Sequence, residues 1–391
     1  MTVPTLTATQ LAGGRHLPLL VCGPSLGTSA TALWGSAAGL LADAFHVVAW
    51  DLPGHGSSIV NQEPFSLADL GRGVLHLVDS VMTERGEPGG SFGYAGDSVG
   101  GAVGLQLLLD APERVHSAVI MCSAARIGTA EMWHERAAAV RAFGTPVTLD
   151  SSAQRWFGSG FAEREPAASS ALLHSLQAAD PVGYAATCDA LADFDLRDRL
   201  GEITAPVLAV AGDQDAATPV ELLASVAAGV RHGRLVVLPG VAHLAPVEAP
   251  DETARLIREH LGPKPVTLAA RHDAGLAVRR EVLGDAHVDR ATTAATDFSR
   301  DFQEFITQYA WGGIWTRPGL DRRSRSMITL TALVARGHHE ELALHLRAAR
   351  TNGLTNDEIK ELLLQTAIYC GVPDANTAFR IAQDVLADLD A

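Results

Sequence analysis

Cysteine is scarce in this chain of 391 residues: Cys22, Cys122, Cys188 and Cys370 are scattered and form no C-x-x-C pair. That scatter excludes a disulfide scaffold and a cysteine-built metal site, and a reducing, cytoplasmic setting is expected. Long apolar runs are missing too. No segment approaches the roughly 18 uninterrupted apolar residues of a membrane span, so no membrane partner is expected. The opening MTVPTLTATQLAGGRHLPLL lacks the basic start, apolar core and small-residue cleavage site of a signal peptide. Positive charge is also in deficit. The net −15 argues against nucleic acid as a partner. From Lys264 onward there are 15 basic and 17 acidic residues, so a net −13 lies before that point. The arginine-dense last third is therefore able to handle small anions despite the acidic whole.

What is present is enough apolar residue, 47%, for more than one core. Short apolar runs alternate with helix-length segments over the first two thirds: LPLLVC (17–22), FHVVAWD (45–51), SFGYAGD (91–97), HSAVIMC (116–122), APVLAVAGD (205–213) and GRLVVLPG (233–240). This rhythm predicts βαβ units and a mostly parallel sheet with helices on both faces. Residues 124–200 interrupt it with helical periodicity and no strand candidates, so a helical cap over one sheet end is expected there. The first domain is taken as 1–262, and the Pro- and Gly-bearing stretch 263–271 as a linker. Residues 272–391 read as all-α, with DRATTAATDFSRDFQEFITQYAW as one long helix, Gly337 and Gly353 as stops, and Thr355 with Glu358 as a capping box.

Chemistry enters at Gly96-Asp97-Ser98-Val99-Gly100, a G-x-S-x-G directly after a strand candidate and before the helical AVGLQLLLDA. A serine on so tight a turn exposes its hydroxyl at the carboxyl end of a sheet, and the helix start offers N–H groups to a developing oxyanion. A phosphate loop would need a Gly-Lys-Ser/Thr ending, and no lysine stands there. The serine needs a base and an orienting acid, in the chain order Ser, Asp, His. One later strand runs into Asp213-Gln214-Asp215 and the next into Val241-Ala242-His243, so Ser98, Asp215 and His243 are the expected catalytic set, with Asp213 organising the turn.

The span Gly212 to Pro219 matches the G-x-x-D-x-x-x-P acid loop of the α/β-hydrolase family. Within it, the chain resembles the 3-oxoadipate enol-lactonases over residues 15–260, through SLGTSATALW, WDLPGHGSS, GDSVGG, ARIGTAEMWHERAAAVRAFG, RWF and LVVLPGVAHLAPVE. The resemblance implies an α/β-hydrolase fold and hydrolysis of a small anionic lactone through a Ser98 acyl-enzyme. Val99 N–H supplies one oxyanion donor. Pro24 stands where those enzymes commonly have asparagine and has no N–H, which leaves Ser25 or Leu26 as the second donor. The substrate's free carboxylate calls for a cation from the cap, for which Arg126 and Arg155 are candidates, with Trp133 shaping the pocket.

The remainder, most specifically YAWGGIWTRPGLDRRSRSM (309–327) and ELALHLRAARTNGLT (341–355), resembles 4-carboxymuconolactone decarboxylase. That family shares its all-α fold with the alkylhydroperoxidase-like proteins, but the C-x-x-C of the latter is absent, which excludes dithiol peroxidase chemistry. His338, Glu341 and His345 are spaced i, i+3 and i+7 and share one helical stripe. The resemblance implies proton transfer by His345, tuned by Glu341 with His338 beside them, and dianion binding by Arg317, Arg323 and Arg325. It implies no metal and no cofactor, because the lactone's own conjugation accepts the electrons of the departing carboxyl. It also implies a homo-oligomer assembled through this domain. The two resemblances name consecutive reactions, so a bifunctional enzyme of protocatechuate catabolism is expected. The alternative is a serine esterase of other specificity with an inactive helical oligomerisation domain.

Overall fold

The computed structural model describes residues 2–262 and 267–390, which fall into two compact units, Met1–Pro263 and Lys264–Ala391. In the first, seven strands form one sheet: β1 (Ala8–Ala12), β2 (Leu19–Gly23), β3 (His46–Trp50), β4 (Phe92–Asp97), β5 (Val115–Met121), β6 (Val207–Gly212) and β7 (Gly233–Leu238). Their order is β1-β3-β2-β4-β5-β6-β7. All pairings are parallel except β1 with β3, which is antiparallel. β1 is the strand that apolar runs do not reveal. It is an edge strand, ATQLA, exposed or half-exposed throughout, so it needs no apolar run. β2, β3, β4 and β6 are buried at every position, as helices on both faces require.

Residues 124–200 hold no strand. The helices Ala130–Phe143, Leu149–Trp156, Pro166–Ala178 and Pro181–Ala192 build a cap there. Its Trp133, Val140, Leu172 and Leu176 belong to the same apolar core as the sheet.

The second unit is all-helical, from Leu268–Leu283 to Val372–Asp390. Its main core gathers Leu330, Val334, Leu342, Leu346, Ile359, Leu363 and Ala378, with a smaller cluster of Val282, Trp311 and Ala348. Two expectations need correction. The first helix begins at Leu268, where the Thr267 hydroxyl accepts from Ala270 N–H at 3.0 Å, so residues 267–271 are a capped helix start and not linker. Residues 263–266 lie outside the described residues. The long helix expected from Asp289 to Trp311 is instead three pieces, Asp285–Thr293, Asp297–Ile306 and a π-helical Thr307–Trp315. Thr296 and Ser299 form a reciprocal cap that restarts the chain after Ala294. The π segment arises where two helices touch backbone to backbone: a methyl group on Gly275 would overlap the Thr307 carbonyl, and one on Gly312 the Arg271 carbonyl. Gly337, at φ 65°, and the Thr355–Glu358 capping box end and start helices at the expected places.

Candidate functional site

At the carboxyl end of the sheet, four loops converge. Ser98 follows β4 at φ 52° and ψ −117°, a conformation costing on the order of 1–3 kcal/mol for a non-glycine residue. The surrounding glycines make that turn possible. A side chain on Gly96 would collide with the Gly100 carbonyl, and one on Gly100 with the backbone of Gly23. The turn is held by Ser98 N–H donating to Met121 O at 2.9 Å and by the Ser123 hydroxyl donating to Ser98 O at 2.6 Å.

The loops after β6 and β7 bring the other two side chains to this serine. His243 Nε2 lies 2.8 Å from Ser98 Oγ, and its Nδ1 lies 2.8 Å from Asp215 Oδ2. Asp215 also accepts from the Thr218 hydroxyl at 2.6 Å and from the N–H groups of Ala217 and Thr218. Burial opposes ionisation of this carboxyl, but His243 and the Thr218 donors outweigh it and hold its pKa below the usual value. Asp213 Oδ1 accepts from Gly240 N–H and serves the turn. Glu248, which no motif singled out, accepts from the N–H groups of Ala242 and Leu244 on either side of His243 and from Gly158 of the cap.

Ser98, Ser25, Leu26 and His243 line a cavity of about 220 Å³ whose roof is Trp133, Arg136, Arg155, Trp156 and Tyr184 of the cap. Among the described residues, neither Val99 N–H nor Leu26 N–H donates a hydrogen bond, whereas Ser25 N–H is taken by Thr28 Oγ1 at 3.2 Å. The pair open to an oxyanion is therefore Val99 with Leu26, and Ser25 drops out as the second donor. Arg126 is also corrected. It lies outside this cavity and pairs with Asp195 at 3.4 Å. Arg136, missed in the sequence, takes the place expected of it. Its guanidinium sits 5.5 Å from the centroid of Trp133. Arg136 falls one helical turn after Trp133, a spacing that pointed to a shared face. Among the described residues, the hydrogen bond Arg155 donates goes to Ser151 Oγ at 3.4 Å. Neither guanidinium has a carboxylate partner among the described residues. Burial, then the neighbouring Arg136 charge, lowers the Arg155 pKa, which is the mark of two cations facing one cavity.

The helical unit brings together a different set. His345 is half-buried, and burial lowers its pKa. Glu341 works against that shift, and the charge of His287 adds to it. His287 in turn is lowered by burial and then by the charges of Arg279 and Arg290. These side chains thus share one electrostatic neighbourhood, of which the sequence revealed His345 and Glu341 but not His287 or Arg279. His338 is exposed at the helix start, where it precedes the first turn. The expected arginine trio is not brought to this place. Arg323 is consumed by Glu358 and the Gly353 carbonyl, and Arg325 by the carbonyls of Leu320 and Arg317 at 3.2 and 2.9 Å. Arg317 is exposed on the turn that Arg325 braces. Arg323 and Arg325 thus brace helix ends and turns, and the side chain of Arg317 lies exposed outside this group.

Comparison with known proteins separates along the same division. Residues 19–256 match the model of the alpha/beta hydrolase family, and residues 300–384 that of the carboxymuconolactone decarboxylase family. The chain belongs to the alpha/beta hydrolase family, and its helical unit to the carboxymuconolactone decarboxylase family. Its hydrolase part is 34% identical over 253 residues to 3-oxoadipate enol-lactonase 2 of Acinetobacter baylyi, covering 63% of this chain and 92% of that protein. Its helical part is 49% identical over 119 residues to 4-carboxymuconolactone decarboxylase of the same organism, covering 30% of this chain and 89% of that protein. A nitrosuccinic acid decarboxylase of Metarhizium robertsii is 44% identical over 117 residues, 30% of this chain and 82% of its own length. Among solved structures, the enol-lactonase of Burkholderia xenovorans LB400 superposes with a TM-score of 0.61 at 29% identity, over 64% of this chain and 94% of that one. Both family models thus match one chain, a hydrolase unit followed by a decarboxylase-family unit.

Proposed function

We propose that the chain is a bifunctional enzyme that decarboxylates 4-carboxymuconolactone in its helical unit and hydrolyses the resulting 3-oxoadipate enol-lactone to 3-oxoadipate in its hydrolase unit. The observation that carries the reading is the pairing, in one chain, of an assembled Ser98–His243–Asp215 triad under a two-arginine roof with a helical unit 49% identical to a decarboxylase of the preceding step.

In the first step the bond to the departing carboxyl breaks and CO₂ leaves. The electron pair runs through the ring double bond onto the lactone carbonyl oxygen, and a proton is then delivered to ring carbon. His345 is the proton carrier and Glu341 sets its basicity. In the second step Ser98 Oγ attacks the lactone carbonyl while His243 Nε2 takes its proton and Asp215 holds the ring. Val99 and Leu26 N–H groups meet the oxyanion. The enolate leaves, becomes a ketone on protonation, and water releases the acyl group from Ser98. Arg136 and Arg155 hold the substrate's free carboxylate, a role suited to planar bidentate donors.

The helical unit also exposes a stripe of Phe298, Phe302, Phe305 and Tyr309 at helical spacing, Phe298 being 98% exposed. This supports a homo-oligomer assembled through that unit. No described helix is long and apolar enough to cross a membrane, and the four cysteines are unpaired thiols, which supports a cytoplasmic setting. Purified chain supplied with 4-carboxymuconolactone should release CO₂ and yield 3-oxoadipate. If CO₂ never appears while small esters are cleaved, the chain is a serine esterase with an inactive helical unit.

A further inference from the structure

Among the described residues of the helical unit, Arg279 is the one buried guanidinium without an ion-paired acid. It is 6% exposed, and its two engaged nitrogens meet only neutral oxygens, Thr307 Oγ1 at 3.2 Å and Gln303 Oε1 at 3.1 Å. Its Nε–H has no acceptor among the described residues. A buried cation left in this condition is strongly destabilising, so a fold that keeps one needs an anion from elsewhere.

The space for that anion is present. Arg279 lines a cavity of about 320 Å³ together with His272, Arg280, Arg300 and Glu304. Arg280 is already matched by Asp285 and Asp289, and Arg300 by Asp297. Glu304 is exposed and forms no ion pair with Arg279. Arg279 therefore carries the cavity's unspent charge. The backbone contact at Gly275 and Gly312 seats its helix against Thr307, so the guanidinium is positioned by packing and not by an acidic neighbour.

We propose that Arg279 is the carboxylate-binding residue of the decarboxylase site, holding the substrate carboxylate that is retained. His345 and Glu341 do not line this cavity, and they are assigned to the reacting end because Val282, one turn after Arg279, packs with Ala348, one turn after His345. This rests on the decarboxylase reading above. The assignment to the retained group follows from the chemistry. A guanidinium on the departing carboxylate would stabilise the charge that must flow out of it and so raise the barrier, whereas one on the other carboxylate binds ground state and transition state alike. Substitution should therefore appear in KM and leave kcat nearly unchanged.

The test uses the full chain. Arg279→Gln should raise KM for 4-carboxymuconolactone by roughly tenfold or more, with kcat changed by less than about threefold. Arg279→Lys should recover part of the loss, because it restores charge without the bidentate fork. Tricarballylate, a stable polycarboxylate, should inhibit decarboxylation competitively in the wild type and far more weakly in Arg279→Gln. Ester cleavage by the hydrolase unit should be untouched in every variant and reports that the chain is sound. A wild-type KM in Arg279→Gln, or equal tricarballylate inhibition in both, overturns the proposal. Should Arg279→Gln fail to fold, an unchanged KM in Arg279→Lys overturns it instead. If the wild type releases no CO₂ at all, the decarboxylase reading fails first, and tricarballylate binding followed by calorimetry still decides whether Arg279 is an anion site.

Discussion

In the proposed reading, the two units each place a proton carrier beside an anion site, and they do so by opposite means. The hydrolase unit delivers each reacting side chain from a loop at the end of a parallel strand, where the sheet's register fixes the loop's starting point. Ser98, Asp215 and His243 lie far apart in sequence yet meet at 2.8 Å. The helical unit draws its groups from the flanks of several helices, where a change of one residue in phase or one break in a helix moves a side chain to another face. Strand-end sites tolerate coarse reading of the sequence, and helix-flank sites do not.

The largest expected effects come from the reacting groups. Ser98→Ala should reduce lactone hydrolysis by about a thousandfold or more, with the enol-lactone accumulating from 4-carboxymuconolactone. If 3-oxoadipate still forms at the normal rate, the hydrolase site is elsewhere. His345→Gln should lower decarboxylation by roughly a hundredfold and leave hydrolysis intact. Equal loss in both reactions would mean that His345 is structural.

Smaller effects sharpen the contrast within the cap. Arg136→Met and Arg155→Met should each raise KM for the enol-lactone by roughly tenfold, while Arg126→Met changes it less than about twofold, as expected of an exposed ion pair. Kinetics in which Arg126→Met is the damaging change would reverse the assignment made from the cavity lining. The smallest expected effect is in pH. His345 and His287 have pKa values lowered from 6.5, so just below that pH the unfolded chain binds protons that the folded one refuses. Stability of the helical unit should therefore fall as pH drops through that window, and be flat in this respect above it. His345→Asn should weaken the dependence in urea melts taken across the window. An unaltered slope would place the titration on other groups.

How far the sequence could be read follows from the same physics. The βαβ rhythm, the G-x-S-x-G turn and the order Ser, Asp, His were visible because buried parallel strands must be continuous apolar runs and because only small residues fit at Gly96 and Gly100. β1 was not visible, since an exposed edge strand carries no such run. In the cap, periodicity showed helices but not which arginine faces inward. Arg126 and Arg136 look alike as residue types; the spacing of Arg136 from Trp133 hints at a shared face, and the packing of the two side chains shows it. The helical unit's capping signals were legible, but the break at Ala294 and the π segment were not, the latter lying where Gly275 and Gly312 of different helices meet backbone to backbone.

The two families, the order of the units and the expectation that Ser98, Asp215 and His243 act as a set were legible because all of them rest on local patterns or on chain order. Tertiary structure alone decided which backbone N–H groups stay free for an oxyanion and which guanidinium lacks an acid. Those are properties of what a group has been denied as well as what it touches. Hydrogen-bond satisfaction and charge pairing are settled only once every neighbour is in place. That is how Arg323 and Arg325, prominent in the sequence, became braces, and Arg279, inconspicuous there, was left with its charge unspent.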